Sequence, residues 1–203
     1  MRLLACALLG FLFGGLNGAI MISRGKMHED VRSKGSGNAG MTNFLRSYGG
    51  WATLLVVAID FGKAVAAMLL ATLICPKNPL LAKMVTGFAV QVGHVFPIYF
   101  GFRGGKGILC SGAVAVMMDW RFAVTGLPLF LLIFFLTRYV SLASVITMLA
   151  LIPLYILFFP NQPWIWALAA AMTALSVFMH RSNIRRLLRG EERKTYFHKS
   201  KNE

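Results

Sequence analysis

The sequence predicts an all-α integral membrane protein with about seven transmembrane helices. Of its 203 residues, 57% are hydrophobic and only 14% are charged, and the mean hydropathy is +0.66. Such a composition is typical of membrane proteins. The apolar residues also fall in successive long runs that short polar turns separate, as expected for helices that cross a bilayer one after another.

The predicted spans occupy most of the chain. A helix rises about 1.5 Å per residue and needs roughly twenty apolar residues to cross the hydrocarbon layer. The fourth run, residues 108–118, is shorter. Its helix is therefore expected to begin within the glycines that precede residue 108 or not to cross the bilayer fully. The predicted spans are residues 3–22, 51–75, 80–99, 108–118, 122–136, 140–159 and 164–179.

Polar residues interrupt the first two spans. The glycines within residues 14–18 predict close packing between helices, and the alternative is that Asn17 points into a polar pocket. Asp60 and Lys63 lie three residues apart in the second span, so they share a helix face and are predicted to pair. The alternative for this pair is a proton or ion relay.

Lys and Arg are divided unequally between the two sides that seven spans define. Sixteen of the 21 fall in residues 23–50, in residues 99–107, at Arg138 and in the tail 180–203. Because positively charged loops stay in the cytoplasm, these segments are predicted to be cytoplasmic and the N-terminus to lie outside. The same rule explains the net charge of +14, so we expect no nucleic acid as a partner.

The segment from Gly93 to Gly107, GHVFPIYFGFRGGKG, is a glycine-rich cationic turn between two apolar runs. Glycine N–H groups together with Arg103 and Lys106 supply the donors that a phosphate needs. The segment therefore predicts an anion site, unless its cations only anchor a loop at the membrane surface. His94 is either a buried histidine bonded to a backbone carbonyl or an acid–base or substrate-binding residue.

Two other polar segments are predicted to lie on the same side. In SKGSGNAGMTNFLR, Ser36 and Asn38 alternate with glycines ahead of a helix, which suits an anion cradle, and Arg46 is a further candidate donor. This segment lacks the spacing of a P-loop, and such residues also form ordinary turns. The basic tail carries Asn183 and Arg186, and its alternative is to lie on anionic lipid. Together the three clusters predict a pocket for one ligand with several phosphates or for two phosphorylated ligands.

The three clusters lack the residue types that several kinds of enzyme chemistry require. Carboxylates other than Glu191 and Glu192 are nearly missing, so a magnesium-dependent phosphotransferase fits poorly, and we expect no metal and no cofactor. The sequence has no G-x-S-x-G motif and no cysteine beside a histidine, so it does not indicate a covalent acyl-enzyme. Cys6, Cys75 and Cys110 have no disulfide or zinc spacing.

Three motifs in order resemble one known family. They are the first polar segment, the pattern G-H-x-F-P-x-x-x-x-F-x-G-G-K-G with an arginine before the glycine pair, and the pattern N-I-x-R-L-x-x-G-x-E-x-K in the tail. With Asp60 and Lys63, they resemble the bacterial acyl-phosphate:glycerol-3-phosphate acyltransferases (PlsY family). The resemblance covers essentially the whole chain.

The resemblance implies a single transmembrane acyltransferase domain over residues 1–203. It would lie in the bacterial cytoplasmic (inner) membrane, with its active site facing the cytoplasm. The implied reaction moves a fatty acyl group from acyl phosphate to the 1-hydroxyl of sn-glycerol 3-phosphate and gives lysophosphatidic acid and phosphate for phospholipid synthesis. Since acyl phosphate carries a good leaving group, positioning and charge neutralisation suffice without a protein nucleophile. The expected partners are these two substrates and membrane lipid, and the oligomeric state stays open.

The resemblance also implies which residues form the site. The residues expected to be catalytic are Ser36, His94 and Lys106. The residues expected to bind phosphate and substrate are Gly37, Asn38, Thr42, Asn43, Arg46, Gly104, Gly105, Gly107, Asn183, Arg186 and Glu192. The acceptor of the hydroxyl proton stays open among His94, Glu192 and a phosphate oxygen of the substrate. The last is favoured because the motifs hold few bases.

One feature departs from the family pattern. The family ends the glycine break of its first span with Ser-x-Pro, whereas this chain has Gly15-Leu16-Asn17, which predicts a different bend or a divergent copy with reduced activity. Two other classes of function fit the sequence less well. A transporter of a phosphorylated solute needs midplane polar groups and an internal repeat, which the sequence does not show. A lipid-binding scaffold explains the tail but not the two glycine-rich loops.

Overall fold

The computed structural model describes residues 1–196, and that range contains helices, turns and loops but no strand. The end of the predicted basic tail, residues 197–203, lies outside the described residues. Two short 3-10 turns cover Val31–Ser33 and Ile98–Phe100. The α-helices are α1 (Arg2–Gly15), α2 (Gly18–Lys26), α3 (Met41–Tyr48), α4 (Ala52–Ile74), α5 (Pro79–Val95), α6 (Ile108–Met118), α7 (Arg121–Thr137), α8 (Val140–Phe158), α9 (Pro163–Met179) and α10 (Arg181–Leu188).

The helices fall where the apolar segments predicted them. Within residues 1–196, four helical segments are long and apolar enough to cross a bilayer, and α9 with α10 makes a fifth that is bent by 59°. Helices α6 and α7 are apolar but shorter. The described part of the chain is therefore all-helical, as predicted, and four or five of its segments have the length and composition of membrane spans. The four are Arg2–Lys26, Ala52–Ile74, Pro79–Phe100 and Val140–Phe158.

The first span packs closely on α5 because both helices carry glycine at the contact. A Cβ on Gly14 would lie 2.2 Å from the backbone oxygen of Val90, and a Cβ on Gly93 would lie 2.2 Å from that of Phe11. Neither position has room for a side chain. The close helix packing predicted from the glycines of the first span is therefore present.

Asn17 shapes the break between α1 and α2. Its Oδ1 accepts a hydrogen bond from the Ile20 N–H at 3.0 Å, and its Nδ2 donates to the Ala39 carbonyl at 3.0 Å. The side chain is fully buried. Asparagine at this N-cap position satisfies an N–H that would otherwise be unpaired at the helix start. It also ties the break to the first polar loop.

Asp60 and Lys63 fasten α4 to the same break. Lys63 Nζ donates to Asp60 Oδ1 at 2.8 Å and to the carbonyls of Gly14 and Leu16 at 3.0 and 2.7 Å. Asp60 Oδ1 also accepts from the Gly18 N–H at 3.1 Å. The lysine therefore binds carbonyls that end α1, and the aspartate binds an N–H that begins α2. The pair is an internal ion pair, as the helix-face spacing predicted.

Helix α5 lies at the centre of the bundle, where it packs against α1, α4, α6 and α9. Helix α7 packs mainly on α8, and α8 packs on α9. An apolar core of buried side chains joins these layers. This arrangement leaves α4 and α6 on one side of a cavity and α7 and α8 on the other. The largest side chains of that core include Met68, Met84, Met148, Tyr155 and Ile165.

Candidate active site

The three polar segments meet at one end of the helix bundle. Arg32 Nη1 in the first loop donates to the Arg103 carbonyl in the second loop at 3.0 Å. Arg46 Nη2, on α3, donates to Thr195 Oγ1 in the tail at 2.6 Å. The first loop is therefore bonded to both other segments, as expected for parts of one site.

The glycines of the second loop let it fold tightly against the end of α5. A Cβ on Gly105 would lie 2.2 Å from His94 Nε2 and 2.8 Å from the Ala39 carbonyl oxygen. Gly107 has a φ of +80°, in the left-handed region that favours glycine, and it directly precedes α6. The loop consequently presents Lys106 at the mouth of the cavity.

Lys106 and Glu192 are connected through Asn183. Lys106 Nζ donates to Asn183 Oδ1, and Asn183 Nδ2 donates to Glu192 Oε1 at 2.7 Å. The same oxygen accepts from Ser141 Oγ at 2.9 Å, and Glu192 Oε2 accepts from Arg186 Nε at 2.7 Å. Because the lysine is bonded to the amide oxygen, the amide NH₂ faces the carboxylate. These bonds hold the second loop, α8 and the tail in one polar row.

Burial and charge act in opposite directions on the two ends of this row. Burial lowers the pKa of Lys106 to about 8, with nearby Arg186 and Arg46 also lowering it and Glu192 opposing the shift. Burial raises the pKa of Glu192, but its three hydrogen bonds outweigh that effect and hold the pKa below its usual value. Glu192 is thus ionised beside Lys106, Arg186 and Arg46, which leaves positive charge at this end of the cavity for an anionic ligand to neutralise.

These groups line the polar end of a cavity of about 810 Å³. Most of the rest of its lining comes from apolar positions on α4, α6, α7 and α8. Most of the site residues predicted from the sequence are brought together on its walls. Those that line it are Ser36, Asn38, Thr42, Asn43, Arg46, His94, Lys106, Gly107, Asn183, Arg186 and Glu192.

The remaining predicted residues lie behind or beside the cavity wall. A Cβ on Gly104 would lie 2.0 Å from the His94 carbonyl oxygen, so Gly104 and Gly105 allow close packing of the loop. Gly37 has a φ of +71° and forms part of a turn. Arg103, a candidate donor, is exposed. These positions shape the loops that carry the lining residues.

Asn43 shapes the first loop from inside. Its Oδ1 accepts from the Ser36 N–H at 2.9 Å, and its Nδ2 donates to the carbonyls of Val31 and Lys34, each at 3.0 Å. One buried side chain on α3 therefore holds three points of the preceding loop. These bonds fix the position of Ser36 at the cavity.

His94 is oriented by the buried ion pair. Lys63 Nζ lies 2.9 Å from His94 Nδ1, and Asp60 Oδ1 lies 3.5 Å from the same nitrogen. Nδ1 of His94 therefore faces the Asp60–Lys63 pair, which holds the ring in place at the cavity wall. Both oxygens of Glu192 accept hydrogen bonds, so this carboxylate has no uncommitted basic atom.

Sequence reasoning missed Ser141, Ser144 and His180, which also line the cavity. His180 Nδ1 lies 2.8 Å from the Ser176 carbonyl oxygen, which holds the ring beside the polar row. Its spacing of one helical turn from Asn183 could have indicated it. Serines near a helix start are common, so Ser141 carried no comparable signal.

Known proteins match this chain over most of its length. A family model described as Glycerol-3-phosphate acyltransferase matches residues 4–190. The glycerol-3-phosphate acyltransferase of Shouchella clausii (strain KSM-K16) is 39% identical over 198 residues, with 95% of each chain covered. That of Thermoanaerobacter sp. (strain X514) is 36% identical over 188 residues, with 93% of each chain covered.

Solved structures match the whole fold. The crystal structure of PlsY, an integral membrane glycerol 3-phosphate acyltransferase, in its glycerol 3-phosphate form has a TM-score of 0.88 and 31% identity, covering 97% of this chain and 96% of that chain. The lysophosphatidic acid form has a TM-score of 0.84 and 30% identity, covering 97% of each. The resemblance indicated by the three motifs is confirmed. This chain belongs to the glycerol-3-phosphate acyltransferase family.

Proposed function

We propose that this protein transfers a fatty acyl group from acyl phosphate to the 1-hydroxyl of sn-glycerol 3-phosphate, giving lysophosphatidic acid and inorganic phosphate. Family membership supports glycerol 3-phosphate as the acceptor and argues against the transporter and scaffold alternatives. The observation that carries the proposal is one cavity whose cationic end continues into an apolar trough. Such a space suits ligands that combine a phosphate group with a long hydrocarbon chain.

The cationic end supplies donors for two phosphates. Arg46 Nε is buried and has no hydrogen-bond partner within residues 1–196, so it has a donor free for a ligand oxygen. We assign the first loop, with Ser36, Gly37 and Asn38, to the phosphate of the acyl donor. We assign Lys106 and the tail residues bonded to it to glycerol 3-phosphate.

The proposed chemistry needs no covalent enzyme intermediate. The hydroxyl oxygen of glycerol 3-phosphate attacks the carbonyl carbon of acyl phosphate and forms a C–O bond. The bond from that carbon to the phosphate oxygen breaks, and the hydroxyl proton leaves on the released phosphate. A phosphate oxygen is the proposed acceptor because the motifs hold few bases: both oxygens of Glu192 are engaged, and His94 Nδ1 faces the Asp60–Lys63 pair. The first-loop donors assigned to the phosphate of the acyl donor stabilise the negative charge that develops on this leaving group, and Lys106 holds the phosphate of the attacking glycerol 3-phosphate.

We further propose a topology of seven membrane passages, including the short helices α6 and α7, in one domain over residues 1–203. Residues 23–50, residues 99–107 and the tail 180–203 would face the cytoplasm, and the N-terminus would lie outside. The unequal distribution of Lys and Arg supports this orientation. The bonds that join the three segments support their placement on one side.

Product formation by the purified protein tests the proposed function. Palmitoyl phosphate and glycerol 3-phosphate, supplied without coenzyme A, acyl carrier protein or added metal, should give equal amounts of phosphate and lysophosphatidic acid. Omitting either substrate should abolish both products. Turnover that requires a different acyl donor would reject acyl phosphate as the substrate.

A further inference from the structure

The apolar part of the cavity is a trough built from faces of α6, α7 and α8, with Val57 and Phe61 of α4 completing it. On α6 the lining positions are residues 108, 109, 112, 115 and 116, the spacing of a single helical stripe. Stripes on α7, between residues 122 and 130, and on α8, between residues 140 and 151, face it. The trough therefore has a defined direction, leading away from the Lys106 loop along α6.

The trough extends to a depth that suits one acyl chain. Ser141 contacts Glu192 at the polar end, and Leu151 lies about 15 Å further along α8 at a rise of about 1.5 Å per residue. Phe122 also lines the trough and is 2% exposed, with its ring centroid 4.3 Å from that of Tyr155. About 15 Å is half of a hydrocarbon core about 30 Å thick, the depth that a lipid chain occupies in one leaflet.

Gly112 keeps the middle of the trough open. It stands at the centre of the α6 stripe, and a Cβ there would meet no heavy atom of the described residues within 4 Å outside its own helix backbone. On α7, a Cβ on Gly126 would already lie 3.2 Å from Leu151 Cδ2. A larger side chain at residue 112 would consequently fill free space that leads to the far end.

We infer that Gly112 and Phe122 determine the longest acyl chain that the enzyme accepts. This inference rests on the proposed function, because it assigns the trough to the acyl chain of the donor. A side chain at residue 112 blocks the trough partway and excludes chains that reach past it. A smaller side chain at residue 122 enlarges the trough and admits longer chains.

Activity measured over acyl phosphates of increasing length, from octanoyl to stearoyl phosphate, tests the inference. In Gly112→Leu the ratio of palmitoyl to octanoyl transfer should fall roughly tenfold or more from the wild-type ratio, because long chains must overpack the blocked trough. Gly112→Ala should give an intermediate ratio. The matched control is Gly62→Leu on α4, where a Cβ also meets nothing within 4 Å but the position does not line the cavity.

Phe122→Leu tests the opposite direction, with the ratio of stearoyl to palmitoyl transfer expected to rise. A Gly112→Leu ratio equal to that of Gly62→Leu would overturn the inference. An equal loss on every chain length would also overturn it, since a block partway along must act most on chains that pass it. Wild-type protein inactive with every acyl phosphate would instead reject the proposed function, and this inference with it.

Discussion

Lys106 gives the site a charge that responds to pH near neutrality, because burial lowers its pKa to about 8. A phosphate monoester loses its last proton near about pH 6, so the ligand keeps its full charge above neutrality. As pH rises through about 8, Lys106 of the free protein loses its proton. Phosphate binds the protonated, positively charged lysine, so binding then requires this proton to be taken up again. Affinity for glycerol 3-phosphate should then fall by up to tenfold per pH unit, measured by calorimetric titration from about pH 7 to about pH 9.

Lys106→Arg is the control for this pH dependence. A guanidinium stays protonated throughout the range, so the affinity of this variant should change little with pH, whatever its absolute value. The same decline in both proteins would assign the pH dependence to another group.

Glu192 orients the cations around it, and its neighbour offers a matched control. Glu192→Gln removes the negative charge and replaces one of the two acceptor oxygens by an NH₂ group, so Asn183 and Arg186 can no longer both keep their acceptor. We expect KM for glycerol 3-phosphate to rise roughly tenfold, with a smaller change in kcat. Glu191→Gln alters an exposed carboxyl and should leave KM unchanged. Equal effects of the two substitutions on KM would contradict a positioning role for Glu192.

The residues that sequence reasoning found are those in local motifs. Lys106 and Asn183 stand in patterns of glycines and charges that are visible along the chain. Ser141 enters the site only because α8 packs beside the tail and brings its hydroxyl to Glu192. That contact joins residues 51 positions apart, and neither flanking sequence signals it. Residues outside the motifs therefore reach the site through tertiary packing, which the local sequence does not indicate.

Among the helices, the broken first span depends on one buried side chain. Asn17→Ala removes the cap of α2 and leaves the Ala39 carbonyl without its donor. The free energy of unfolding should fall by about 1–2 kcal/mol, measured as a lower Tm in detergent. Asn78→Ala is the control, since Asn78 stands at the N-cap of α5 and makes no side-chain cap bond. Equal Tm changes in the two variants would argue against the cap.

The positions of the spans could be predicted from the lengths of the apolar runs, which are visible along the sequence. The bends did not, because they depend on which buried groups satisfy the backbone at a break. Asn17, Asp60 and Lys63 do this between α1 and α2. The sequence indicated the break through its glycines but not the three partners that stabilise it, and it did not indicate the 59° bend between α9 and α10.

For the whole molecule, the proposed orientation places opposite ends of the bundle in different compartments. The three native cysteines are buried, so cysteines introduced at exposed sites can report sidedness. In intact cells, a membrane-impermeant maleimide should label Lys77→Cys, in the turn between α4 and α5, and should not label Ser33→Cys in the first loop. Permeabilised cells should show both labelled. Labelling of Ser33→Cys in intact cells would reverse the orientation.

The charge distribution along the chain predicted that three distant segments share one end of the molecule, and the bonds from Arg32 and Arg46 agree with it. The apolar trough could not be predicted in the same way. It depends on how the faces of α6, α7 and α8 are turned toward each other, and uniformly apolar helices carry little periodic signal from which to infer those faces.

The central claim is that these three segments form one acyl-phosphate-dependent acyltransferase site around Lys106. The most direct measurement is the parallel release of phosphate and formation of lysophosphatidic acid by wild type, Lys106→Met and Lys77→Met, each given palmitoyl phosphate and glycerol 3-phosphate. The account predicts equal amounts of both products from wild type and Lys77→Met, and neither product from Lys106→Met that retains the wild-type Tm. Full turnover by folded Lys106→Met would contradict it.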